Sequence, residues 1–393
     1  MPRLHLDHNA TTPLRPEARA VFLRELDRLG GNPSSVHASG RAARVVLDLA
    51  REQTAAALGV HEDEIVFTSG GTESIHLAVL GCLRAAPSGL GLVTTQVEHS
   101  AGLGAAELAE AAGRPVVRMG VDAAGRLELD ELRRRHAGDL ALVSIQTANN
   151  EVGTVHPVPR IVELLRARPD RPLFHTDAVQ ALGRVPLRLG ESGVDLASFS
   201  AHKLGGPLGV GILYRRKGVR LAPLFQGGGQ EAGLRPGTEN VPAIAAAACA
   251  VELAVAETTP QAASWRALTA ELWHQLHLRI PDVRLNGPAI DADDRLPNTL
   301  NVSLPSTDAC SSRASTSKDS RSAPAPHARA DRSNLRTFCS RWAARATTRA
   351  RVCGSRSVER RVEKMSTTRW RSCRESGTTR AKRASSTTLA PST

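Results

Sequence analysis

The chain has 393 residues, with 51 Lys+Arg against 39 Asp+Glu and a formal net charge of +12. The excess is local: positions 306–393 hold 20 basic and 6 acidic residues, whereas positions 1–305 hold 31 and 33. The first 305 residues therefore carry no basic signature of nucleic-acid binding, and six cysteines without paired spacing exclude a disulfide framework or a zinc site.

No apolar run is expected to reach membrane-spanning length and no signal-peptide core opens the chain, which predicts a soluble cytoplasmic protein without a membrane partner. Residues 4–14 read as a short strand running into a polar loop. The spacing predicts helices over 16–29, with Pro16 in the first turn, and over 39–58, with loop between them. A strand over 64–69 runs into Gly70-Gly-Thr-Glu-Ser74, and 75–84 is helical. Strand, Gly-rich turn and helix together offer backbone N–H groups and a helix N-terminus to a phosphate, although Gly-Gly-Thr alone is a common turn.

Strands over 91–95, 116–119, 140–146 and 172–176 then alternate with helices over 101–112, 130–136 and 159–168. Two further apolar runs, 194–199 and 210–214, read as a strand and its hairpin neighbour. This is the α/β class: a mostly parallel sheet covered on both faces, with ligands bound beyond the carboxyl ends of its strands. Four polar clusters fall at those ends: Gln96-Val-Glu-His99, Thr147-Ala-Asn-Asn-Glu151, His175-Thr-Asp-Ala-Val-Gln180 and Ser200-Ala-His-Lys203. One polar strand end means little; four on one rim make a site. Beyond them, 226–240 is a long irregular loop, and loops of that length in compact domains are usually functional. Helices follow over 242–257 and 264–279, and a strand over 299–304 opens a smaller domain. The division expected is an N-terminal segment 1–14, a large domain 15–258, the start of a small domain 259–305, and a tail 306–393.

Lys203 sits where a strand gives way to a Gly-rich loop, beside Ser200 and His202. A lysine held there, partly desolvated and near other cations, loses proton affinity, so its amine can attack a carbonyl; the alternative is a solvated loop lysine. Pyridoxal phosphate needs such an amine, a carboxylate at its ring nitrogen, a phosphate cradle, a group stacked on the ring and a donor at its phenolic oxygen. Asp177 suits the ring nitrogen, or else caps a helix. Thr72, Ser200 and His202 supply phosphate donors, and Gln180 suits the phenolic oxygen. His99 suits stacking and proton transfer, or is a satisfied buried histidine. Asn150 suits a substrate carboxylate or the cofactor oxygen. No metal constellation competes for these residues.

Leu6-Asp-His-Asn-Ala-Thr-Thr-Pro13, Phe67-Thr-Ser-Gly-Gly-Thr-Glu73, Glu98-His99, Asn149-Asn-Glu-Val-Gly153, Thr176-Asp-Ala-Val-Gln180, Ser198-Phe-Ser-Ala-His-Lys203, Gly227-Gly-Gly-Gln-Glu231 and Arg235-Pro-Gly-Thr238 resemble the cysteine desulfurases, which are pyridoxal phosphate enzymes of the class V aminotransferase superfamily. The likeness is nearly continuous over residues 1–304. It implies fold type I with a seven-stranded sheet, and a homodimer with the active site at the subunit interface. It implies Lys203 as the Schiff-base lysine, His99 as the stacking residue and Asp177 as the ring-nitrogen partner. Gly71, Thr72, Asn150, Gln180, Ser200 and His202 would contact cofactor, and Thr238 would reach the phosphate of the partner subunit. Such enzymes take sulfur from L-cysteine, leaving L-alanine and an enzyme persulfide. A scaffold or tRNA-thiolation protein then receives the sulfur for iron–sulfur clusters or thio-RNA.

The resemblance stops after Pro305. The family's Gly-Ser-Ala-Cys loop, which carries the nucleophilic cysteine, and its Val-Arg-Phe-Ser-Leu-Gly strand are both missing. Cys310 imitates the loop but comes too early. The tail is rich in Ser, Thr, Arg and Ala and reads as disordered. It also reads as a frameshifted family C-terminus. With triplets started at the third codon base, Pro324 to Ala328 allow Gly-Ser-Ala-Cys and Val352 to Glu359 allow Val-Arg-Phe-Ser-Leu-Gly-Arg. An impaired enzyme is therefore expected. A selenocysteine lyase or aminotransferase of the same superfamily is the nearest alternative, and the 228–238 loop favours the desulfurase. A scaffold whose basic tail binds nucleic acid is opposed by the tail's lack of interleaved aromatics, so no direct nucleic-acid partner is expected.

Overall fold

The computed structural model describes residues 5–134, 139–167 and 170–304. The Cys310 loop, the tail and its frameshifted reading lie outside the described residues. Seven strands form one sheet: β1 (Ile65–Thr68), β2 (Gly91–Thr95), β3 (Val116–Met119), β4 (Leu140–Ser144), β5 (Leu173–Asp177), β6 (Leu196–Ser200) and β7 (Gly211–Arg215). Their order is β1-β7-β6-β5-β4-β2-β3. All neighbours pair in parallel except β7, which runs antiparallel to both β6 and β1. The expected mostly parallel sheet and its closing hairpin are both present.

The strands are short and buried throughout, and period-two alternation sorts their side chains into two cores. Phe67, Val93, Val143, Phe174, Ala197 and Ile212 face one core, and Val66, Leu92, Leu142, Leu196 and Leu213 face the other. Among the helices, α1 (Pro16–Arg28), α2 (Ala38–Leu58), α3 (Gly71–Ala85), α4 (Ser100–Ala111), α5 (Leu129–Arg134), α6 (Val158–Arg166), α7 (Leu189–Ser192) and α8 (Val241–Arg279), the second core takes α3 and α4. The first takes α2, α6 and α8. Helices thus cover both faces. Burial of each large side chain such as Phe174 or Phe199 is worth about 1.5–3 kcal/mol.

Four local expectations are corrected. Residues 5–14 form no strand, because their backbone groups bond the turn after β6 instead: Thr12 N–H donates to His202 O, and the carbonyls of Asn9 and Ala10 accept from Lys203 Nζ. Helix α3 begins at Gly71, four residues before its apolar face starts. The two helices expected over 242–279 are one, α8, with Pro260 inside it. Pro260 and Ala256, the residue whose carbonyl loses its partner, are both exposed, so water replaces the missing bond. By length and composition α8 is also apolar enough to cross a membrane, contrary to expectation, yet 61% of that apolar window is buried in this fold. Its small residues Ala246 and Ala250 meet Ala18 of α1, and α2 packs alongside.

After α8, β8 (Arg284–Asn286) pairs antiparallel with β9 (Asn301–Ser303). The sequence pattern missed β8, a strand of three residues. Buried Arg295 ties this region together by donating to the carbonyls of Asn286, Pro288 and Thr299.

Candidate active site

Strands β2, β4, β5 and β6 run in parallel, so the polar segments following Thr95, Ser144, Asp177 and Ser200 all emerge at one edge of the sheet. Because β7 is antiparallel to both its neighbours, β1 points the same way, and the first turn of α3 joins this rim.

Lys203 closes a short 3-10 turn, Ala201–Lys203, at the end of β6. It is half-buried, and its Nζ donates to the carbonyls of Asn9 (2.5 Å) and Ala10 (2.8 Å). A freely solvated loop lysine is ruled out by those contacts. Burial, and then the positive charge of Arg184, hold its amine below lysine's usual value, against the opposing pull of Asp7 and Asp177. The segment 7–12 forms a strap over the turn. Asn9 is its hub: its carbonyl also takes Gln180 Nε2, its Nδ2 donates to Asn150 O and Thr299 Oγ1, and its Oδ1 accepts from Asn298.

Asp177 ends β5 and is buried. Its Oδ1 accepts the Val179 N–H at 2.9 Å, and turns rather than a helix follow, so it caps no helix. Burial raises its pKa, and the charges of His99 and Lys203 draw it back down, which places all three within electrostatic reach. His99 is exposed at the N-cap of α4, with Nδ1 accepting the Ala101 N–H at 3.1 Å. It is therefore no buried histidine, and in the neutral ring the proton resides on Nε2.

Next to it Glu98 is buried. Its carboxylate accepts Thr95 Oγ1–H at 2.8 Å and the Gln146 N–H at 3.0–3.1 Å, pinning the ends of β2 and β4 together. Burial pushes its pKa up to about 8, with Asp177 adding to the rise. The unfolded carboxyl ionises near 4.3, so the stability contributed by protonated Glu98 is complete below that value and is lost as pH climbs through about 8. Glu98→Gln, neutral at every pH, is expected to gain unfolding free energy relative to the parent between about pH 5 and about pH 8. Urea unfolding at both values measures this, and a difference independent of pH contradicts it.

Gly71 and Thr72 form the first turn of α3, where backbone N–H groups have no helical partner. A Cβ on Gly71 would lie 3.0 Å from Val179 Cγ2 and 3.3 Å from Ser200 Cβ, so the turn abuts the end of β6 closely enough that a side chain there would push its neighbours aside. Ser200 is buried; Thr72 is exposed. His202 Nδ1 pairs with Thr11 Oγ1 at 3.0 Å, leaving Nε2 as its remaining ring nitrogen. Gln180 has its Oε1 buried without any hydrogen-bond partner. Asn150 is half-buried, with Nδ2 on Glu151. The fold thus gathers nine of the ten expected residues around the end of β6. The tenth, Thr238, stands exposed on the 226–240 loop and shares none of their hydrogen bonds.

Three residues at the site escaped the sequence reading: Asn9 and Arg184, by their contacts with Lys203 and Gln180, and Glu98, by its depth. Asn9 and Glu98 lie inside quoted motifs, Leu6–Pro13 and Glu98-His99, but were given no role, and Arg184 lies in none. His175, between Ser144 and Ser198 hydroxyls, is held neutral by burial, its pKa lowered to about 3. Among the described residues no group of His, Cys, Asp and Glu could hold a metal. Burial disfavours the thiolate at both described cysteines, pushing Cys82 to about 12 and Cys249 to about 11.

The residues fit pyridoxal phosphate. An amine of lowered basicity, a buried carboxylate, an exposed imidazole and a helix N-terminus converge; Gln180 differs from the expected donor, because its Nε2 is given to Asn9 O and its buried, unpartnered Oε1 offers an acceptor instead.

Comparison with known proteins agrees with this geometry. The Aminotransferase class-V family matches residues 4–315. The chain is 42% identical over 302 residues to the cysteine desulfurase IscS of Dictyoglomus turgidum, covering 77% of this chain and 75% of that protein. It is 45% identical over 306 residues to a cysteine desulfurase of Cereibacter sphaeroides, covering 77% of each. Among solved structures, a NifS-like protein superposes with a TM-score of 0.74 at 40% identity, covering 77% of this chain and 82% of that one. SspA in complex with cysteine superposes with a TM-score of 0.67 at 29% identity, covering 77% and 84%.

Proposed function

The chain belongs to the class V aminotransferase family, among its cysteine desulfurases, and from that premise we propose how its residues remove sulfur from L-cysteine. The observation that carries the proposal is the half-buried Lys203 amine beside buried Asp177, at the edge where four parallel strands end. Bound there, pyridoxal phosphate supplies an electron sink that weakens the bonds around the α-carbon of an amino acid.

The protein's own residues divide the work. The neutral fraction of Lys203 would hold the cofactor aldehyde, and its Nζ would move the α-proton of the bound amino acid. Asp177, whose charged form the Val179 N–H and Lys203 favour against burial, would hold a proton on the ring nitrogen. The N–H groups of Gly71 and Thr72, with Ser200 Oγ and His202 Nε2, bind the phosphate. Gln180 meets the phenolic oxygen, and Asn150 orients the oxygens at that end. His99 covers the ring and carries a proton at Nε2 to or from sulfur. Thr238, exposed, is offered to the phosphate of a second copy, so the working unit is a homodimer. The sulfur acceptor is a scaffold or tRNA-thiolation protein, and the reaction is cytoplasmic.

Reconstitution tests the reading. Protein loaded with pyridoxal phosphate is expected to absorb visible light, and borohydride is expected to fix the cofactor on residue 203. A colourless product, or a tag on another residue, overturns it. Release of L-alanine from L-cysteine is expected to be slight, because the sequence holds no Gly-Ser-Ala-Cys loop and neither Cys82 nor Cys249 supplies a thiolate. Turnover at the rate of a desulfurase with that loop contradicts the expectation.

A further inference from the structure

Arg184 is 4% exposed, and among the described residues no carboxylate stands within ion-pair distance of it. Burying a guanidinium without a counter-ion costs several kcal/mol, roughly, so such a group persists where something requires its charge. Its place is set by the turn after β5: Gly183, at φ +74°, takes the left-handed conformation, and a Cβ there would lie 3.0 Å from that of Ala254. The guanidinium then reaches three carbonyls, those of Gln180 (3.0 Å), Val179 (3.4 Å) and Lys203 (3.5 Å). Two of these belong to residues already placed at the site, and the third to their neighbour.

We propose that Arg184 is a positioning residue for the reactive amine: its buried guanidinium, without a carboxylate partner among the described residues, fixes the backbones of Gln180 and Lys203 and sets a positive charge against the Lys203 turn. This rests on reading Lys203 as the cofactor-binding amine. A neutral amide could serve the same carbonyls, so the charge itself is the distinguishing element. The groups acting on Lys203 are few. Arg184 opposes its protonation, as burial does, while Asp7 on the strap and Asp177 on β5 favour it. Lys203 in turn opposes protonation of His202, and Arg184 does the same to His8 on the strap. Removing Arg184 leaves burial alone to oppose the two carboxylates, and the amine then holds its proton to higher pH.

The chain makes the test direct, because Lys203 and exposed Lys217 are the only lysines before position 306. Full-length protein freed of cofactor is labelled with dinitrofluorobenzene across a pH series, and the peptide carrying Lys203 is quantified by mass spectrometry, with Lys217 normalising the reagent. In the parent, half-maximal labelling of Lys203 is expected below the ordinary lysine value of about 10.4. Arg184→Gln is expected to raise that midpoint by roughly one pH unit, a tenfold fall in neutral amine, while Arg184→Lys keeps it. A parent midpoint at or above the ordinary value overturns the proposal without any variant, which covers failure of the glutamine variant to fold. Equal shifts in both variants reduce Arg184 to a structural clamp, and no shift in either removes it from the site; both outcomes overturn the proposal. A separate absorbance titration with added pyridoxal phosphate reports whether Lys203 takes the cofactor, so failure of that reading is seen apart from failure of this one.

Discussion

Lys203→Ala is expected to abolish covalent capture of pyridoxal phosphate, taking the borohydride-fixed tag from about one per chain to none. The phosphate-binding turn at Gly71 and Thr72, the Ser200 hydroxyl and the Asp177 carboxylate all remain, so the cofactor still associates, reversibly and with the spectrum of the free aldehyde. Lys203→Arg is expected to fail equally. A guanidinium preserves the charge and length that a purely structural lysine would need, and it could still donate to the Asn9 and Ala10 carbonyls. It stays protonated at every accessible pH, however, and so is no nucleophile. Intact-mass measurement after reduction checks both variants. A tag persisting at full yield in either, on Lys217 or elsewhere, removes position 203 from the chemistry.

Glu231→Ala should cost about 3–5 kcal/mol of stability. The Glu231 side chain is 1% exposed and meets Arg51 through both oxygens, while one oxygen also accepts the Phe67 N–H at 2.8 Å. Arg51 lies 4.9 Å above the Phe67 ring, so deleting the carboxylate strands a largely buried cation on β1. The anchor also holds non-glycine residues in an unfavourable conformation: Glu231 and Ala232 have φ of +48° and +55°. The loop they bend carries Arg235, which donates to Glu73 in the first turn of α3 at 3.1 Å, and then Thr238. Its release is therefore expected to weaken phosphate binding as well. Replacing both partners, Arg51→Met with Glu231→Leu, should recover part of the loss because no charge is left unpaired. Urea unfolding of the single and double variants measures this. A Glu231→Ala midpoint equivalent to within about 0.5 kcal/mol of the parent would mean that water already serves the pair.

The same loop shows where sequence reasoning reached and where it stopped. Gly227-Gly-Gly-Gln-Glu231 stood out as a motif, yet nothing in it says that Glu231 reaches back 180 positions to Arg51. The strap behaves alike. Residues 4–14 read as a short strand running into a polar loop, but their backbone groups go to Lys203 and His202. Pro260 announces a helix break that does not occur, since an exposed proline leaves its missing bond to water.

Read alone, the sequence determined the alternation of strands and helices, the polar rim at the strand ends and the candidate amine at Lys203. Those signals are local: apolar spacing and residue type at a strand end need no knowledge of the partner. Only the tertiary structure decided that Asn9 joins the strap to the segments following β4, β5 and β6, that Glu98 is buried, and that Arg184 sits against the Lys203 turn without a carboxylate partner among the described residues. Burial and through-space charge belong to chain segments that meet only after folding, and no periodicity along the chain encodes them.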